Sequence, residues 1–319
     1  MTPRLVFGKV RGGPITSWKA LVEVFEESFS SWGWIFRGHS DGNWRLETSL
    51  ERAVLGFALP QPSGRLDDQR RALRRGLVDG GSKRAVLRIE AGLLRQFKRQ
   101  CHHHTGQVPE PADTLEWLAL MQHYGAPTRL LDWTYSFYAA VFFAVDGASP
   151  KTADGTCCVW SVNAEWVRER FLARNPRLWK IIDKDRNLHK RADTFERIFG
   201  NRGRFVCPIS PYRLNDRLVI QQGIFLCPGD ISSPFEDNLG ELQLERSRSR
   251  IARVRRDARQ NVKKIEISSN TQTRADILRH LHRMNMTPAT LYPGLGGFAQ
   301  SLKNMLLFPK LLQSGPKYE

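Results

Sequence analysis

The sequence predicts an α+β fold in a single domain over residues 1–319, with its core at about residues 15–305. Two observations predict this class. Segments with helical spacing of apolar residues precede and separate short apolar strands, without a regular strand–helix–strand alternation. The composition, 41% hydrophobic and 25% charged, is that of a globular protein. We therefore expect mixed or antiparallel sheets of short strands, flanked by helices.

The first third of the chain contains two predicted helices around one strand. Ser17 is placed to cap a helix that continues to about Ser28. Residues 34–36 are apolar and aromatic between two glycines, which predicts a buried strand that places Arg37 at its end. Residues 83–104 form a long amphipathic pattern. The first polar residue to follow a buried strand is thus an arginine.

The middle of the chain predicts a capped helix, a strand and a core helix. Asp113 can cap a helix that ends at Gly125. Pro127 enforces extended geometry, so residues 128–132 are expected to form a short strand or a strand-like turn. Residues 136–145 are apolar on nearly every face and should lie in the core as a helix.

The last part of the chain predicts further strands and two closing helices. Strands are expected at residues 155–162, 216–225 and 264–267, and helices from about residue 273 and at 298–308. The following apolar residues are expected in the core: Trp34, Phe36, Trp117, Leu131, Trp133, Phe142 and Phe143.

The charge is strongly positive. A formal net charge of +17 attracts polyanions at long range, and nucleic acid is the partner expected first. Much of the charge lies in a basic helix or loop at residues 240–264. Its candidate nucleic-acid-binding residues are Arg246, Arg248, Arg250, Arg253, Arg255 and Arg256. The alternative is a solvated face without a specific partner.

The expected compartment is the cytoplasm. Residues 1–10 lack the apolar stretch of a secretory signal, and no apolar run approaches about 18 residues, so no membrane association is expected. The five cysteines show no disulfide spacing, which fits a reducing compartment.

Three stretches combine polar residues with apolar surroundings, namely residues 36–40, 121–134 and 220–225. Buried polar groups need partners, so these stretches are candidates for a binding groove. Arg37 follows a buried strand beside Gly38, and its guanidinium can bind a carboxylate or phosphate bidentately. The alternative is an internal ion pair with Asp132 or Glu90.

The second stretch contains His123, Arg129 and Asp132. His123 is a candidate catalyst, although a lone histidine is more often a core residue with satisfied hydrogen bonds. Arg129 and Asp132 are three residues apart in an extended segment, so they should lie on opposite faces and serve different partners.

Metal chemistry lacks its usual motifs. Cys101 to His104 could suggest a metal site, but consecutive residues on a helix point in different directions. The sequence contains no HExxH, paired CxxC or GxxxxGKS motif, so no bound metal is expected.

Four segments in order resemble the FRG-domain family: WIFRGHSDGNWRLETSLER, LEWLALMQHYGAPTRLLDWTYSFYAAVFFAV, RLVIQQGIF and LYPGLGGFAQSLK. The name refers to a motif of the type Phe36-Arg37-Gly38. The resemblance spans about residues 15–305. It implies a bacterial or phage-associated effector in a toxin or antiviral defence context, and it does not specify a reaction.

The order of features is also similar, more distantly, to mono-ADP-ribosyltransferases, which implies NAD as cofactor. The resemblance implies an arginine on the dinucleotide, a wall built by a Thr-bearing strand and an apolar helix, and Glu or Gln on a later strand. The candidate catalytic residues are Arg37, Glu90, His123, Asp132 and Gln222. The candidate ligand-binding residues are Gly38, Ser40, Gln122, Tyr124, Thr128, Arg129, Trp133, Arg217 and Gln221.

This comparison departs from the transferase pattern at one point. The later strand offers Gln221 and Gln222 where efficient transferases carry glutamate, so Asp132 or Glu90 would have to supply the carboxylate. The leading prediction is an NAD-dependent transferase-like or NAD-cleaving effector. Two alternatives stay open. One is a nucleic-acid-binding or nucleotide-sensing module without catalysis, and the other is a metal-dependent nuclease. Each of the three functions is compatible with a regulatory protein partner.

Overall fold

The computed structural model describes residues 5–57, 81–149, 154–176, 194–200, 203–211, 215–244 and 258–306. Within these ranges, seven strands form one mixed sheet in the order β1-β7-β4-β2-β3-β6-β5. The strands are β1 (Gly8–Lys9), β2 (Trp34–His39), β3 (Leu131–Thr134), β4 (Thr156–Asn163), β5 (Val206–Ile209), β6 (Gly223–Pro228) and β7 (Val262–Ser268). Helices flank this sheet, which confirms the α+β prediction.

The helices fall before, between and after the strands. They are α1 (Trp18–Ser28), α2 (Ser49–Phe57), α3 (Gly81–Gln100), α4 (Thr114–His123), α5 (Phe137–Asp146), α6 (Ala164–Arg174), α7 (Thr194–Phe199), α8 (Asp216–Ile220), α9 (Phe235–Gln243), α10 (Ala258–Asn261), α11 (Thr271–Arg283), α12 (Pro288–Leu291) and α13 (Leu295–Met305). A 3₁₀ turn, Cys101–His103, extends α3.

The sheet is weakly joined between β2 and β3. The register of β2 with β4 continues from Trp34 to His39, whereas β2 and β3 share only the pair Phe36 with Thr134. Beyond this pair, β3 follows β6 instead. The pairing of β2 with β3 therefore ends beside Arg37, which stays paired with Trp160 of β4, and we call this gap between β2 and β3 the opening.

Alternation along the strands directs apolar side chains into a core on each face of the sheet. One core contains Ile35 and Trp133, and the other contains Phe36 and Phe142. Gly38 allows α5 to approach the sheet closely, because a Cβ at this position would lie 2.1 Å from the carbonyl oxygen of Ala140. The glycine thus makes room for a helix backbone.

Two helices begin at the predicted caps, Ser17 and Asp113, and a third begins at Ser136, for which no cap was predicted. The side chain of Ser17 accepts a hydrogen bond from the N–H of Ala20, and Asp113 accepts one from Glu116. Ser136 likewise accepts from Ala139. These contacts satisfy N–H groups that have no partner inside the first helical turn.

One expectation about local structure was wrong, and another is refined. Residues 216–225 do not form one strand: Asp216–Ile220 is helix α8, and β6 begins only at Gly223. Asn215 caps α8 by accepting from the N–H of Leu218 at 2.9 Å, which favours a helical turn over extension. In the segment 128–132, where a short strand or strand-like turn was expected, strand β3 begins at Leu131.

The predicted core is largely correct. Of the seven expected residues, Phe143 alone is only half-buried, since it lies at the edge of α5 against Tyr292. The closing helices start earlier than expected, at Thr271 and Leu295. None of the helices in the described ranges is both long and apolar enough to cross a membrane.

The candidate nucleic-acid-binding arginines Arg246, Arg248, Arg250, Arg253, Arg255 and Arg256 lie outside the described residues. The ends of the predicted basic segment belong to regular elements, since residues 240–243 are part of α9 and residues 262–264 are part of β7.

Candidate ligand-binding site at the opening of the sheet

Arg37 occupies the opening between β2 and β3. Its Nη1 donates to the backbone carbonyl of Asp132 at 2.7 Å and lies 3.9 Å from the Asp132 carboxylate. Its Nε donates to Nε2 of His39 at 3.0 Å. Burial lowers the pKa of Arg37, and the negative charge of Asp132 opposes this shift. The predicted internal pair with Asp132 is therefore present, at a distance that leaves the ion pair loose.

Arg37 retains donors for a ligand. A guanidinium has five N–H groups, and the two hydrogen bonds just described use two of them within the part of the chain that the structure describes. The side chain is 19% exposed. An anion entering the opening can therefore meet a guanidinium that its neighbours already hold in place.

His39 fixes the orientation of Arg37. It lies two residues further along β2, on the same side of the strand, and is buried. Burial, together with the positive charge of Arg37, lowers the pKa of His39 to about 3. His39 is therefore neutral near pH 7, and its Nε2 serves as the acceptor for Arg37 while Nδ1 carries the proton.

Asp132 presents a carboxylate at the same opening. Its side chain is 53% exposed, and Oδ2 accepts a hydrogen bond from Nε2 of Gln122 at 2.7 Å. Oε1 of Gln122 accepts in turn from the hydroxyl of Thr128 at 2.5 Å and from that of Ser49 at 3.4 Å. Gln122 therefore orients the carboxylate, and Thr128 supports it from a buried position.

Glu90 and Arg129 form a separate, buried ion pair. Nε of Arg129 donates to Oε1 of Glu90 at 2.6 Å, and Nη2 donates to Oε2. Burial lowers the pKa of Arg129, but the hydrogen bonds and charge of Glu90 outweigh it and raise the pKa. The side chains are 10% and 7% exposed, so this pair links α3 to the segment before β3. As predicted, Arg129 and Asp132 serve different partners.

The rim of the opening carries aromatic and basic side chains. Tyr124, at the end of α4, is 66% exposed and contacts the ring of His123. The guanidinium of Arg217 lies 5.1 Å from the ring of Tyr292. Burial raises the pKa of Tyr292, Arg217 opposes this shift, and Asp132 adds to it. Arg217 and Tyr292 are therefore direct neighbours, whereas Tyr124 lies at the end of the helix that supplies Gln122.

His123 is also shielded from protonation. Burial lowers its pKa, the charge of Arg217 lowers it further, and Asp216 opposes both. Its Nδ1 is buried and makes no hydrogen bond to the residues that the structure describes. A neutral imidazole with an unused nitrogen can act as a proton acceptor or donor.

The two late glutamines lie in a turn, not on a strand. Gln221 ends α8, and its Nε2 donates to the carbonyl of Leu291 at 2.8 Å. Gln222 has a φ of +48°, and its carbonyl accepts from the N–H of Tyr135 at 3.0 Å. The expectation of two glutamines on a late strand was therefore wrong, although the side chain of Gln222 is exposed.

The structure gathers part of the predicted site and separates the rest. Arg37, Gln122 and Asp132 meet at the opening. Trp133 is buried in the core, so its ring is not presented to a ligand. Gly38 is approached by α5, and Ser40 contacts the end of that helix at Gly147.

Three further residues contribute to the site, and sequence reasoning did not single them out. They are His39, Ser49 and Tyr292. His39 follows Gly38 in the FRG motif, and Tyr292 lies in the closing LYPGLGG segment, so both positions carried a signal. Ser49 lies in the same FRG-like segment as His39, but its contact depends on the turn that brings α2 beside Thr128.

Across the described ranges, no group of three or more His, Cys, Asp and Glu side chains is arranged to hold a metal ion. Glu90, His123 and Asp132, the trio considered for a nuclease, do not form such a group. Glu90 is instead held by Arg129.

The fold and this site define a class: an α+β protein whose mixed sheet opens beside a positioned arginine and an exposed carboxylate. The family model of the FRG domain matches residues 33–153. Residues 33–153 are therefore similar to the FRG domain, and this segment includes Arg37, His39, Gln122 and Asp132. No curated protein and no solved structure matches the chain.

Proposed function

We propose that the opening between β2 and β3 binds NAD and that the protein cleaves its nicotinamide–ribose bond. The observation that carries this proposal is the pair formed by Arg37 and Asp132: a fixed guanidinium with spare donors beside a carboxylate that Gln122 orients. A dinucleotide needs a cation for its phosphates. Cleavage of its glycosidic bond needs a negative group near the developing positive charge.

Arg37 is the phosphate ligand in this proposal. His39 and the Asp132 carbonyl hold two sides of the guanidinium, so little side-chain freedom is lost when an anion binds. The remaining N–H groups can bind a phosphate bidentately. The exposed ring of Tyr124 is available to stack on a base or on nicotinamide.

Asp132 is the catalytic carboxylate. The bond between C1′ of the ribose and the nicotinamide nitrogen breaks, and its electron pair leaves with nicotinamide. Asp132 stabilises the positive charge on the ribose until water, or an acceptor nucleophile, adds to C1′ and loses a proton. With water, the products are nicotinamide, ADP-ribose and one proton. Glu90 is held by Arg129, so Asp132 supplies this charge.

A second candidate function is nucleic-acid binding, and the net charge of +17 favours it. Nucleic acid bound in this way could be the acceptor of the ADP-ribose group. Alternatively, the protein has no catalytic activity, and the groove senses a phosphate-containing ligand. A toxin or defence effector with a regulatory protein partner is compatible with both. A metal-dependent nuclease would lose activity in chelator, which separates it from these candidates.

The test uses NAD labelled on nicotinamide and on adenylate, incubated with the protein alone and with DNA, RNA or cell lysate. We expect release of nicotinamide, and we expect Arg37→Ala and Asp132→Asn each to reduce it about 100-fold or more. Arg279→Ala and Glu27→Gln are matched controls on exposed helix positions and should retain the activity. Transfer of the adenylate label would identify the acceptor.

Thermal unfolding of each variant shows whether a loss of activity reflects a loss of fold. Absence of nicotinamide release in every mixture, with folded protein, would overturn NAD cleavage. If the protein then still binds NAD and Arg37→Lys weakens this binding, the site is a sensor. Equal losses in the matched controls would contradict the roles of Arg37 and Asp132.

A further inference from the structure

A basic cleft lies at the opposite edge of the sheet, where β1 pairs with β7. It has a volume of about 550 Å³ and is open to solvent. Lys9, Arg259 and Lys263 line it, and no acidic side chain does. The carboxylate of Glu266 lies 3.5 Å from Nζ of Lys9, outside the lining. The cleft therefore presents three positive charges to solvent with one carboxylate beside them.

Lys263 is a fixed charge in this cleft. Its Nζ donates to the carbonyl of Ser28 at 3.0 Å, at the end of α1. The same nitrogen lies 5.0 Å from the ring of Phe29 and 5.1 Å from the ring of Trp34. These contacts hold the ammonium group between the cleft and an aromatic surface.

Trp32 lies in the short segment between Phe29 and Trp34, whose rings Lys263 contacts. Trp32 is 97% exposed, the highest exposure of any large apolar side chain in the described ranges. It lies two residues before Trp34 and four after Ser28. The Cα of Trp32 is therefore within about 7 Å of the Cα of Trp34 and within about 14 Å of the Cα of Ser28, because each residue extends a chain by at most about 3.6 Å. A fully exposed indole thus lies on the segment that joins Ser28, at the cleft, to Trp34, whose ring contacts Lys263.

The charge around Trp32 is asymmetric. Gly33 turns the chain with a φ of +92°, and the side chain of Glu165 lies against it from α6. The carboxylate would repel phosphates on that side. A phosphate near Trp32 should therefore avoid the side of Glu165 and favour the positive charges of the cleft.

We propose that this edge of the sheet binds single-stranded nucleic acid, with phosphates at Lys9, Arg259 and Lys263 and an unpaired base stacked on Trp32. The proposal deepens the nucleic-acid binding suggested above, and it requires no reaction at Arg37 and Asp132. A positive groove beside an aromatic platform is the usual arrangement of proteins that bind single strands.

The stacking surface distinguishes a single strand from other polyanions. In a duplex, the bases stack on one another, so their faces are not available to Trp32. An acidic peptide or an anionic membrane surface would use the basic cleft and leave the indole without a planar partner. A clear preference for an unpaired strand, dependent on Trp32, is therefore the expected signature.

The test measures binding of the whole chain to a fluorescein-labelled 20-nucleotide oligothymidylate and to a duplex of the same length, by anisotropy at several salt concentrations. We expect Trp32→Ala to weaken binding of the single strand roughly 5- to 150-fold, the range for loss of one stacked base. Trp32→Phe keeps a stacking face and should retain most of the affinity. Phe298→Ala, which removes an exposed ring from α13, should leave binding unchanged.

The charged residues are tested by the salt dependence. The Lys9→Gln/Arg259→Gln variant should reduce the slope of log K against log salt by about 1.4, since each lost phosphate contact on a single strand contributes about 0.7. Lys19→Gln/Arg279→Gln changes the net charge equally at exposed positions on α1 and α11 and should not change the slope.

This inference would be overturned, with nucleic-acid binding intact, by equal effects of the two charge variants or by binding that Trp32→Ala does not weaken. Equal affinity for duplex and single strand would also contradict it. Failure of the unmodified protein to bind either oligonucleotide would overturn nucleic-acid binding as a whole.

Discussion

Arg37 and His39 lie two residues apart on β2, and alternation along the strand directs both side chains to the same side. Burial lowers the pKa of both side chains. Arg37 remains a cation, whereas the pKa of His39 falls to about 3. A neutral histidine can accept a hydrogen bond from the arginine, whereas a protonated one would repel it. The site at the opening therefore depends on His39 staying unprotonated.

This dependence gives a prediction for stability against pH. In the unfolded chain His39 should titrate near pH 6.5, but in the folded protein only near pH 3. Between these values the unfolded state binds more protons, so stability falls as the pH falls. His39 alone should lower the free energy of unfolding by about 2 kcal/mol between pH 7 and pH 5.

Urea denaturation of the unmodified protein and of His39→Gln at both pH values measures this effect. The variant keeps an amide that can accept from Arg37, and its loss of stability between pH 7 and pH 5 should be smaller by about 2 kcal/mol. Parallel losses in the two proteins would show that His39 is not the group that titrates.

The buried pair of Glu90 and Arg129 should contribute more to stability than the exposed carboxylate of Asp132. Glu90→Gln leaves a buried guanidinium without its counterion and should lower the free energy of unfolding by about 3 to 5 kcal/mol. Asp132→Asn changes a half-exposed carboxylate and should cost less than about 1 kcal/mol.

Equilibrium unfolding in urea gives both values. A double variant, Glu90→Leu with Arg129→Met, should lose less stability than the sum of the single variants, because neither partner is left charged alone. A loss below about 1 kcal/mol for Glu90→Gln would contradict the structural role of this pair.

Among the elements, α5 has the tightest approach to the sheet. It crosses β2 at Gly38, where the carbonyl oxygen of Ala140 and the backbone nitrogen of Ala144 occupy the space of a side chain. The glycine in the FRG motif is therefore a requirement of helix packing. Arg37 precedes it, so the same motif sets the helix position and the site.

Two glycine substitutions test this packing. Gly38→Ala would place a Cβ 2.1 Å from a backbone oxygen, so α5 must shift, and we expect a loss of about 3 kcal/mol or more. Gly92→Ala in α3 meets no atom within 4 Å and should raise stability by about 0.5 to 1 kcal/mol. Thermal and urea unfolding of both variants should therefore shift in opposite directions. A stable Gly38→Ala variant would mean that α5 does not cross β2 in this way.

At the scale of the whole molecule, the sheet consists of two halves joined at one residue pair, Phe36 with Thr134. The longer half contains β4, which pairs along its length with β2 and β7 and is buried from Cys157 to Val162. The shorter half is β3, β6 and β5. The proposed NAD site lies at the junction, and the proposed nucleic-acid surface lies at the far edge of the longer half.

Hydrogen exchange should reflect this arrangement. Amides of β4 should exchange only through global unfolding, because both neighbours must separate first. Amides of β1, a two-residue strand at the edge, should exchange orders of magnitude faster. Exchange measured by mass spectrometry on peptides that cover the two strands makes this comparison. Similar protection in both would contradict the position of β4 at the centre of the sheet.

Local signals in the sequence determined much of the secondary structure. Ser17 and Asp113 cap helices where the pattern predicted, because capping involves only a side chain and the N–H groups of the next turn. Residues 137–146 form the expected core helix, because the run of apolar residues is also a local signal. The FRG motif also identified Arg37, and the model of this family matches the segment that contains it.

Only the tertiary structure decided which polar residues meet. Arg37 and Asp132 are brought together by β2 and β3, and Arg129 finds Glu90 on α3, since sheet pairing and helix packing join distant parts of the chain. Residues 216–225 were misread because short apolar runs suit a helix or a strand equally, and the cap at Asn215 decides between them. The sequence by itself therefore determined the class, the caps and the motif. The pairing of charges and the opening in the sheet depend on contacts that no local pattern encodes.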